Sequence, residues 1–266
     1  MNYIIMIIPD DGFVWTPTPK KIALMVPCTS NMRPDWVTMK DTFLFKYTLK
    51  TFLTTCDKEH QYVLYIGYDN DDRIFSKLDE QKTITLFQKD FDFLKVVFIE
   101  MNADKGCVTK MWNQLFKQAY NDGCDYFYQC GDDISFETKG WVNDCIKMLV
   151  WNENVGITGP MNNYVTLTQG FVSRVHMKIF GVFFPETIIN GGGDDWYNVV
   201  YQPYFLYILP HHYYSNEGVR PRYVINGDTE FSNGYTETVA KLRSDLTALA
   251  TKEQDKIYVF MNGPEF

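Results

Sequence analysis

Residues 126–134, with the sequence Tyr-Phe-Tyr-Gln-Cys-Gly-Asp-Asp-Ile, are the stretch from which the rest of the chain is interpreted. Their apolar and aromatic first half predicts a strand buried in a sheet, and this strand ends at two adjacent acids, Asp132 and Asp133. Open α/β sheets bind ligands at the ends of their strands. Two neighbouring carboxylates there repel each other and lose hydration unless a cation lies beside them. The stretch therefore predicts a cation site, and the simplest occupant is a divalent metal that also carries a substrate phosphate.

The composition predicts one large globular domain, alone or with a small appendage. The chain has 266 residues, of which 45% are apolar and 17% aromatic, enough for a substantial core. Its formal net charge is −8 and it has no lysine- or arginine-rich block, so no nucleic-acid partner is expected. No apolar run is long enough to span a bilayer. Six cysteines without zinc-site spacing predict reduced core positions and a cytoplasmic location.

Apolar runs alternate with helical patterns along the first half of the chain. This order predicts an α/β fold with a mostly parallel central sheet flanked by helices. Before the strand at Tyr126, the predicted strands are Lys21–Pro27, Tyr62–Gly67 and Lys95–Met101. The predicted helices begin at Pro34, run from about residue 107 to Tyr120, and follow Trp141 to about Trp151.

The C-terminal region has a different pattern. Residues 215–235 are rich in glycine, asparagine and proline, which predicts a loop. Apolar residues from Val239 to Leu249 recur at helical spacing, and Ile257–Met261 is interpreted as an edge strand. We therefore divide the chain into a main part, residues 1–212, and a C-terminal extension, residues 213–266, that packs on the same domain.

Polar residues follow the first predicted strand, and a second acidic pair follows a glycine loop. Thr29, Ser30 and Asn31 can offer backbone amides and hydroxyls to a ligand at the strand end. Asp194 and Asp195 come directly after three glycines, where a carboxylate can reach an acceptor hydroxyl and accept its proton. The alternative for this second pair is a helix N-cap with a favourable contact to the helix dipole.

In this order of elements the chain resembles a nucleotide-sugar-dependent glycosyltransferase of the GT-A fold, over roughly Lys21 to His212. The resemblance implies that the end of the first strand, Pro27 with Thr29–Asn31, receives the nucleotide and that Asp69, or a neighbouring residue, contacts the base. The family's acidic DxD motif matches Gly131-Asp132-Asp133, where Gly131 stands in place of the first acid. By resemblance, Asp133 binds the metal, and Asp132 contacts the ribose or a metal-bound water.

The same resemblance assigns the remaining candidate residues. In inverting members an acid at the start of the later helix is the general base, which implies Asp195, or else Asp194. A late histidine often completes the metal shell, and His211 or His212 matches it. Two adjacent histidines point in different directions, so at most one is a ligand, and a surface position is the alternative. From the residues themselves, Lys105, Lys110 and Arg174 are candidate diphosphate partners, with a solvated surface charge as the alternative for each.

The function expected from this resemblance is inverting, metal-dependent sugar transfer. The metal would be Mn²⁺ or Mg²⁺, the donor a UDP- or GDP-sugar, and the acceptor a glycan or glycoprotein. A catalytically inactive carbohydrate-binding module is one alternative, which Gly131 keeps open. A nucleotidyltransferase is another, but the first strand is not followed by the Gly-rich, basic loop usual in sugar-nucleotide pyrophosphorylases. The string Gly-Asp-Asp also occurs in RNA polymerases, and the short, acidic chain argues against that function.

Overall fold

A computed structural model describes residues 15–162, 166–218, 222–223 and 237–263. Within these residues the strands form one eight-stranded sheet in the order β3-β2-β1-β4-β7-β6-β8-β5. The strands are β1 (Lys21–Cys28), β2 (Gln61–Tyr68), β3 (Leu94–Glu100), β4 (Tyr126–Gln129), β5 (Ile134–Phe136), β6 (Ile157–Met161), β7 (Phe171–Ser173) and β8 (Leu206–Asn216).

Helices flank this sheet. The α-helices are α1 (Lys50–Thr55), α2 (Leu78–Gln88), α3 (Val108–Asn121), α4 (Trp141–Trp151), α5 (Arg174–Phe180), α6 (Gly193–Val200) and α7 (Glu237–Asn262). A 3₁₀ turn (Met39–Asp41) and a π-helical segment (Leu44–Leu49) precede α1. No helix in the described part of the chain is both long and apolar enough to cross a membrane.

The sheet is mixed, and its parallel half carries the predicted ligand edge. β1 pairs in parallel with β2 on one side and β4 on the other, and β2 pairs in parallel with β3. β7 is antiparallel to both β4 and β6, whereas β6 and β8 are parallel. The predicted α/β fold of GT-A type is confirmed. Because connections diverge on the two sides of β1, the carboxyl ends of β1, β2 and β4 border the crevice where such sheets bind ligands.

The strand and helix predictions for the first half follow from burial. The β1 run is buried from Ile22 onward, as expected for a parallel strand covered on both faces. In α3 the residues at helical spacing, Met111, Leu115, Phe116 and Ala119, are buried against the sheet. The helix ends before Gly123, which has a φ of 79° that favours glycine.

The predicted helix start at Pro34 is wrong, because regular helical turns begin only at Met39. The guanidinium of Arg73 donates hydrogen bonds to the carbonyl oxygens of Arg33 and Trp36. A helix starting at Pro34 would need such carbonyls for its own i→i+4 bonds. The carboxylate of Asp41 instead accepts the backbone N–H groups of Val37 and Thr38, at 3.1 and 2.9 Å.

The C-terminal predictions are partly corrected. The edge strand predicted at Ile257–Met261 is wrong, because these residues belong to α7. Buried Ile257 faces the core while Val259 is 70% exposed, an alternation that occurs on a helix as well as on a strand. β8 continues past His211 and His212 to Asn216. The division of the chain after residue 212 falls inside this strand, and a separate extension stays a prediction.

Candidate active site

Four of the residues predicted to bind a nucleotide meet at one cavity. Thr29, Ser30 and Asn31 follow β1 and Asp69 follows β2, and all four line a cavity of about 330 Å³. They meet because Cys28, at the end of β1, lies in register with Tyr68, at the end of β2. The parallel register therefore places two polar loops that are forty residues apart in sequence on the same edge.

Asp72, which also lines this cavity, organises the loop after β1. Its carboxylate accepts hydrogen bonds from the backbone N–H and hydroxyl of Ser30, at 2.6 and 3.0 Å, and from the hydroxyl of Thr29 at 3.2 Å. It also accepts the backbone N–H groups of Ile74 and Phe75, at 3.0 and 2.9 Å. One buried carboxylate thus joins the two loops that form the cavity.

We expect Asp72→Ala to destabilise the fold by roughly 3 kcal/mol, because several buried donors lose their acceptor at once. Asp71→Ala is the matched control. Its carboxylate is 61% exposed and pairs with Lys105, so its loss should lower the stability far less than the loss of Asp72. Urea unfolding of both variants measures the difference, and equal losses would show that Asp72 does not hold the loops together.

The predicted diphosphate partners are placed differently from each other. Lys105 lines the cavity, and its ammonium pairs with Asp71 at the cavity wall. Lys110 lies in the first turn of α3 and is not among the residues that line the cavity. The diphosphate role of both lysines stays a prediction.

The acidic pair after β4 has a cation beside it, and that cation is an arginine. The guanidinium of Arg222 donates two hydrogen bonds to the carboxylate of Asp132, which is fully buried. One of its nitrogens also lies 3.8 Å from Oδ2 of Asp133. The predicted need for a cation is therefore met in part by the chain itself. Both oxygens of Asp132 are occupied by this arginine, so its predicted contact with a ribose stays a prediction.

Asp133 is the less compensated acid of the pair. Burial and the neighbouring charge of Asp132 raise the pKa of its carboxyl to about 6, against the opposing effect of Arg222. Glycines leave room for its side chain: a Cβ at Gly131 would lie 2.7 Å from Oδ1 of Asp133, and a Cβ at Gly218 only 1.8 Å from Oδ2. The glycine that replaces the first acid of the motif thus makes space for the last one.

The raised pKa of Asp133 predicts a pH-dependent stability difference. Between its unfolded pKa of about 4 and its folded pKa, the folded state binds the extra proton, so this contribution to stability falls as the pH rises. We expect Asp133→Asn to be more stable than the wild type by about 3 kcal/mol at pH 8, and equally stable near pH 4. Urea unfolding of both proteins at several pH values measures this, and a constant difference would contradict it.

Tyr223 closes the inner side of the cavity. Its hydroxyl donates a hydrogen bond to Oδ2 of Asp69 at 2.7 Å and lies 3.2 Å from the hydroxyl of Thr29. Beyond it lies a second, smaller cavity of about 190 Å³. Pro27, Thr29 and Asp69, predicted to contact the nucleotide, line this second cavity together with Arg222. The predicted residues thus border two neighbouring spaces rather than one.

The second acidic pair lies in the first turn of α6. Gly192, with a φ of 86°, is the N-cap residue, so neither aspartate is the N-cap of the helix. Both acids lie in its first turn, where a carboxylate has the favourable contact with the helix dipole that this alternative also named. Oδ1 of Asp194 accepts the backbone N–H of Asp195 at 3.1 Å. Burial raises the pKa of Tyr214, and the charges of Asp194 and Asp133 add to this effect. The catalytic role of Asp194 or Asp195 stays a prediction.

The contacts of His211 and His212 do not support their predicted role as metal ligands. Nε2 of His212 lies 2.8 Å from Oδ2 of Asp144 and its Nδ1 lies 3.2 Å from the hydroxyl of Thr138. Both ring nitrogens are thus engaged with residues other than the acidic pair, whereas His211 is exposed. No group of three or more His, Cys, Asp or Glu side chains among the described residues could hold a metal ion. A metal role for either histidine has no geometric support and stays a prediction.

Three residues of this site do not follow from the sequence pattern. Arg222 and Tyr223 lie in a segment whose composition indicates only a loop, and Arg222 contacts Asp132 across ninety positions. Asp72 belongs to the acidic run after β2, in which no periodicity distinguishes one aspartate from another. A buried carboxylate such as Asp132 needs a cation nearby, but the sequence does not identify which residue supplies it.

The sheet order and the site at the ends of β1, β2 and β4 define an α/β fold of GT-A type. No family model and no curated protein matches the chain. Among solved structures it is similar to S. aureus TarS 1–349, with a TM-score of 0.50 and 13% identity over 73% of this chain and 59% of that one. It is also similar to TarS 1–349 in complex with UDP-GlcNAc, with a TM-score of 0.51 and 14% identity over 88% of this chain and 70% of that one.

These similarities concern the fold. The chain spans 59% of the length of the first TarS structure. At 13–14% identity, the shared feature is the arrangement of the sheet and helices. One of these structures is TarS 1–349 in complex with UDP-GlcNAc.

Proposed function

We propose that this protein is a glycosyltransferase that moves a sugar from a nucleotide-diphosphate donor to an acceptor hydroxyl. One observation carries the proposal. Thr29, Ser30, Asn31 and Asp69 line one cavity at the carboxyl edge of the parallel strands. The carbonyl oxygen of Thr29 also accepts a hydrogen bond from the guanidinium of Arg222 at 3.3 Å, and this bond links the cavity to the acidic pair. The complex of TarS, a protein of the same fold, with UDP-GlcNAc supports a nucleotide-sugar donor.

The cavity residues suit a nucleoside. Asp69 and the polar loop after β1 offer a carboxylate, hydroxyls and a backbone edge, which are the groups that orient a base and a ribose. Lys105 adds a positive charge at the wall. Because the diphosphate is anionic, it requires compensation of the negative charge on the neighbouring acidic pair before it can bind.

A Mn²⁺ or Mg²⁺ ion fits this requirement through Asp133. The carboxylate of Asp133 is buried. Arg222 makes its two carboxylate hydrogen bonds to Asp132 and none to Asp133. Magnesium-like ions typically use one or two protein carboxylates and take their other ligands from phosphates and water, so one available acid is sufficient. When bound, such an ion neutralises the negative charge that grows on the leaving diphosphate.

In the proposed transfer step, the second acidic pair acts on the acceptor hydroxyl. The acceptor oxygen attacks the anomeric carbon, the bond from that carbon to the diphosphate oxygen breaks, and the bonding electrons leave with the diphosphate. Asp195, or Asp194, accepts the hydroxyl proton as general base. Attack from the face opposite the leaving group inverts the anomeric carbon, and a glycan or glycoprotein would supply the hydroxyl.

A panel of UDP- and GDP-sugars, each with and without Mn²⁺, tests this proposal. We expect at least one donor to raise the melting temperature only when metal is present, and slow donor hydrolysis to accompany it. Absence of any metal-dependent shift with every donor would contradict the proposal. Glycan binding without nucleotide-sugar affinity or turnover would favour the inactive carbohydrate-binding module instead.

A further inference from the structure

Arg222 makes different contacts with the two acids of the pair. It donates two hydrogen bonds to the carboxylate of Asp132, whereas its closest approach to the Asp133 carboxylate is 3.8 Å. That distance is an ion pair but not a hydrogen bond. Both negative charges therefore lie beside this guanidinium, and Arg222 makes its hydrogen bonds to the deeper acid. The charge of Arg33 also acts on Asp133.

The arginine is also held in place from outside the acidic pair. Its backbone carbonyl oxygen accepts the side-chain amide of Asn31 at 2.5 Å, and its guanidinium donates to the carbonyl oxygen of Thr29 at 3.3 Å. The next residue, Tyr223, is bonded to Asp69. Arg222 is 84% buried by side chain, its exposed fraction being 16%. These contacts fix the guanidinium against Asp132 rather than midway between the acids.

We propose that Arg222 is a positioning residue, which occupies Asp132 and leaves Asp133 as the one carboxylate of the pair offered to a cation. The inference rests on the proposed role of Asp133, and it adds the reason for choosing that acid. In this arrangement Asp132 holds the arginine, the arginine holds the loop after β1 through Thr29, and Asp133 alone faces a metal ion. A pair of adjacent acids thus performs two separate tasks.

The test measures Mn²⁺ binding to the full chain without nucleotide, from the paramagnetic resonance signal of the free ion. With Arg222→Gln, both carboxylates become available and the nearby positive charge is gone. We expect Mn²⁺ to bind at least about tenfold more tightly than to the wild type, since a positive charge next to a partly buried site repels a bound cation. Lys82→Gln is the control, because it removes one positive charge at an exposed position, and should change the affinity less than about twofold.

Asp132→Asn gives the opposite expectation and guards against poor folding of the arginine variant. Without its carboxylate partner, Arg222 is released to pair with Asp133, so Mn²⁺ affinity should fall by about tenfold or more. A purely structural role for the ion pair would move the two variants in the same direction. Circular dichroism and the melting temperature report whether each variant is folded.

Two outcomes would overturn the inference: an unchanged or weaker Mn²⁺ affinity for folded Arg222→Gln, or an unchanged or tighter one for Asp132→Asn. The result separates from the proposed function because no nucleotide is present. If the opposite shifts appear while no nucleotide-sugar binds, the glycosyltransferase proposal fails and the role of Arg222 stands. If donors bind with metal but the shifts are absent, the function stands and the role of Arg222 fails.

Discussion

Asp133→Asn is expected to lower sugar transfer by about 100-fold or more, because the variant loses the carboxylate proposed to anchor the metal on the donor diphosphate. The metal-dependent rise in melting temperature with nucleotide-sugar should disappear with it. The fold should persist, since asparagine has nearly the same shape and removes a charge that burial makes unfavourable. Steady-state transfer assays and thermal shift with and without Mn²⁺ measure both effects.

Asp79→Asn is the control for this substitution. The Asp79 side chain is 91% exposed on α2 and pairs with Lys82, so turnover should stay within about twofold of the wild type. Undiminished transfer by Asp133→Asn, together with an intact metal response, would show that the metal is held elsewhere. Loss of transfer with an intact metal response would instead assign Asp133 to a step other than metal binding.

Asp195→Asn is expected to lower kcat by about 10²- to 10⁴-fold, the range that a general base contributes. Donor affinity should hardly change, because the proposal places this carboxylate at the acceptor and not at the nucleotide. Single-turnover transfer separates this chemical step from donor binding, which calorimetry with UDP- or GDP-sugar and Mn²⁺ measures. A shift in donor affinity of the same size as the loss in rate would contradict the assignment.

Asp194→Asn is the matched comparison, because it lies beside Asp195 in the first turn of the same helix. If one of the two variants loses most of its kcat and the other keeps most of it, the residue changed in the first variant is the base. Oδ1 of Asp194 accepts the backbone N–H of Asp195, and the amide oxygen of asparagine can accept it as well, so Asp194→Asn should leave this turn intact. If both variants keep full turnover, neither aspartate is the base, and the acceptor proton leaves through another group.

The chain's own arginine changes how the acidic pair is understood. Two adjacent buried acids need a cation, and a metal is the simplest occupant when only the sequence is considered. Arg222 meets half of that need, because one guanidinium balances one carboxylate. The remaining charge on Asp133 is what leaves a place for a divalent ion and an anionic substrate in the same site.

The order of strands and helices could be predicted from the sequence because burial and periodicity are local properties. The β1 run, the amphipathic face of α3 and the apolar strand before Asp132 each report their environment through the spacing of apolar residues. Parallel pairing then brings the strand ends together, so the positions of Thr29 and Asp69 at one edge follow from topology. The prediction of a helix start at Pro34 was wrong because Arg73, which is distant in sequence, donates hydrogen bonds to carbonyl groups that the helix would have used.

The sequence by itself determined the α/β fold, the edge of the sheet that carries the site, and the presence of an acidic pair in need of a cation. Only the tertiary structure decided that Arg222 neutralises Asp132, that Tyr223 bonds to Asp69, and that both nitrogens of His212 are engaged elsewhere. The physical reason is range: hydrophobic spacing acts between neighbours in sequence. Ion pairs and hydrogen bonds instead depend on which loops the folded sheet brings within about 3 Å of each other.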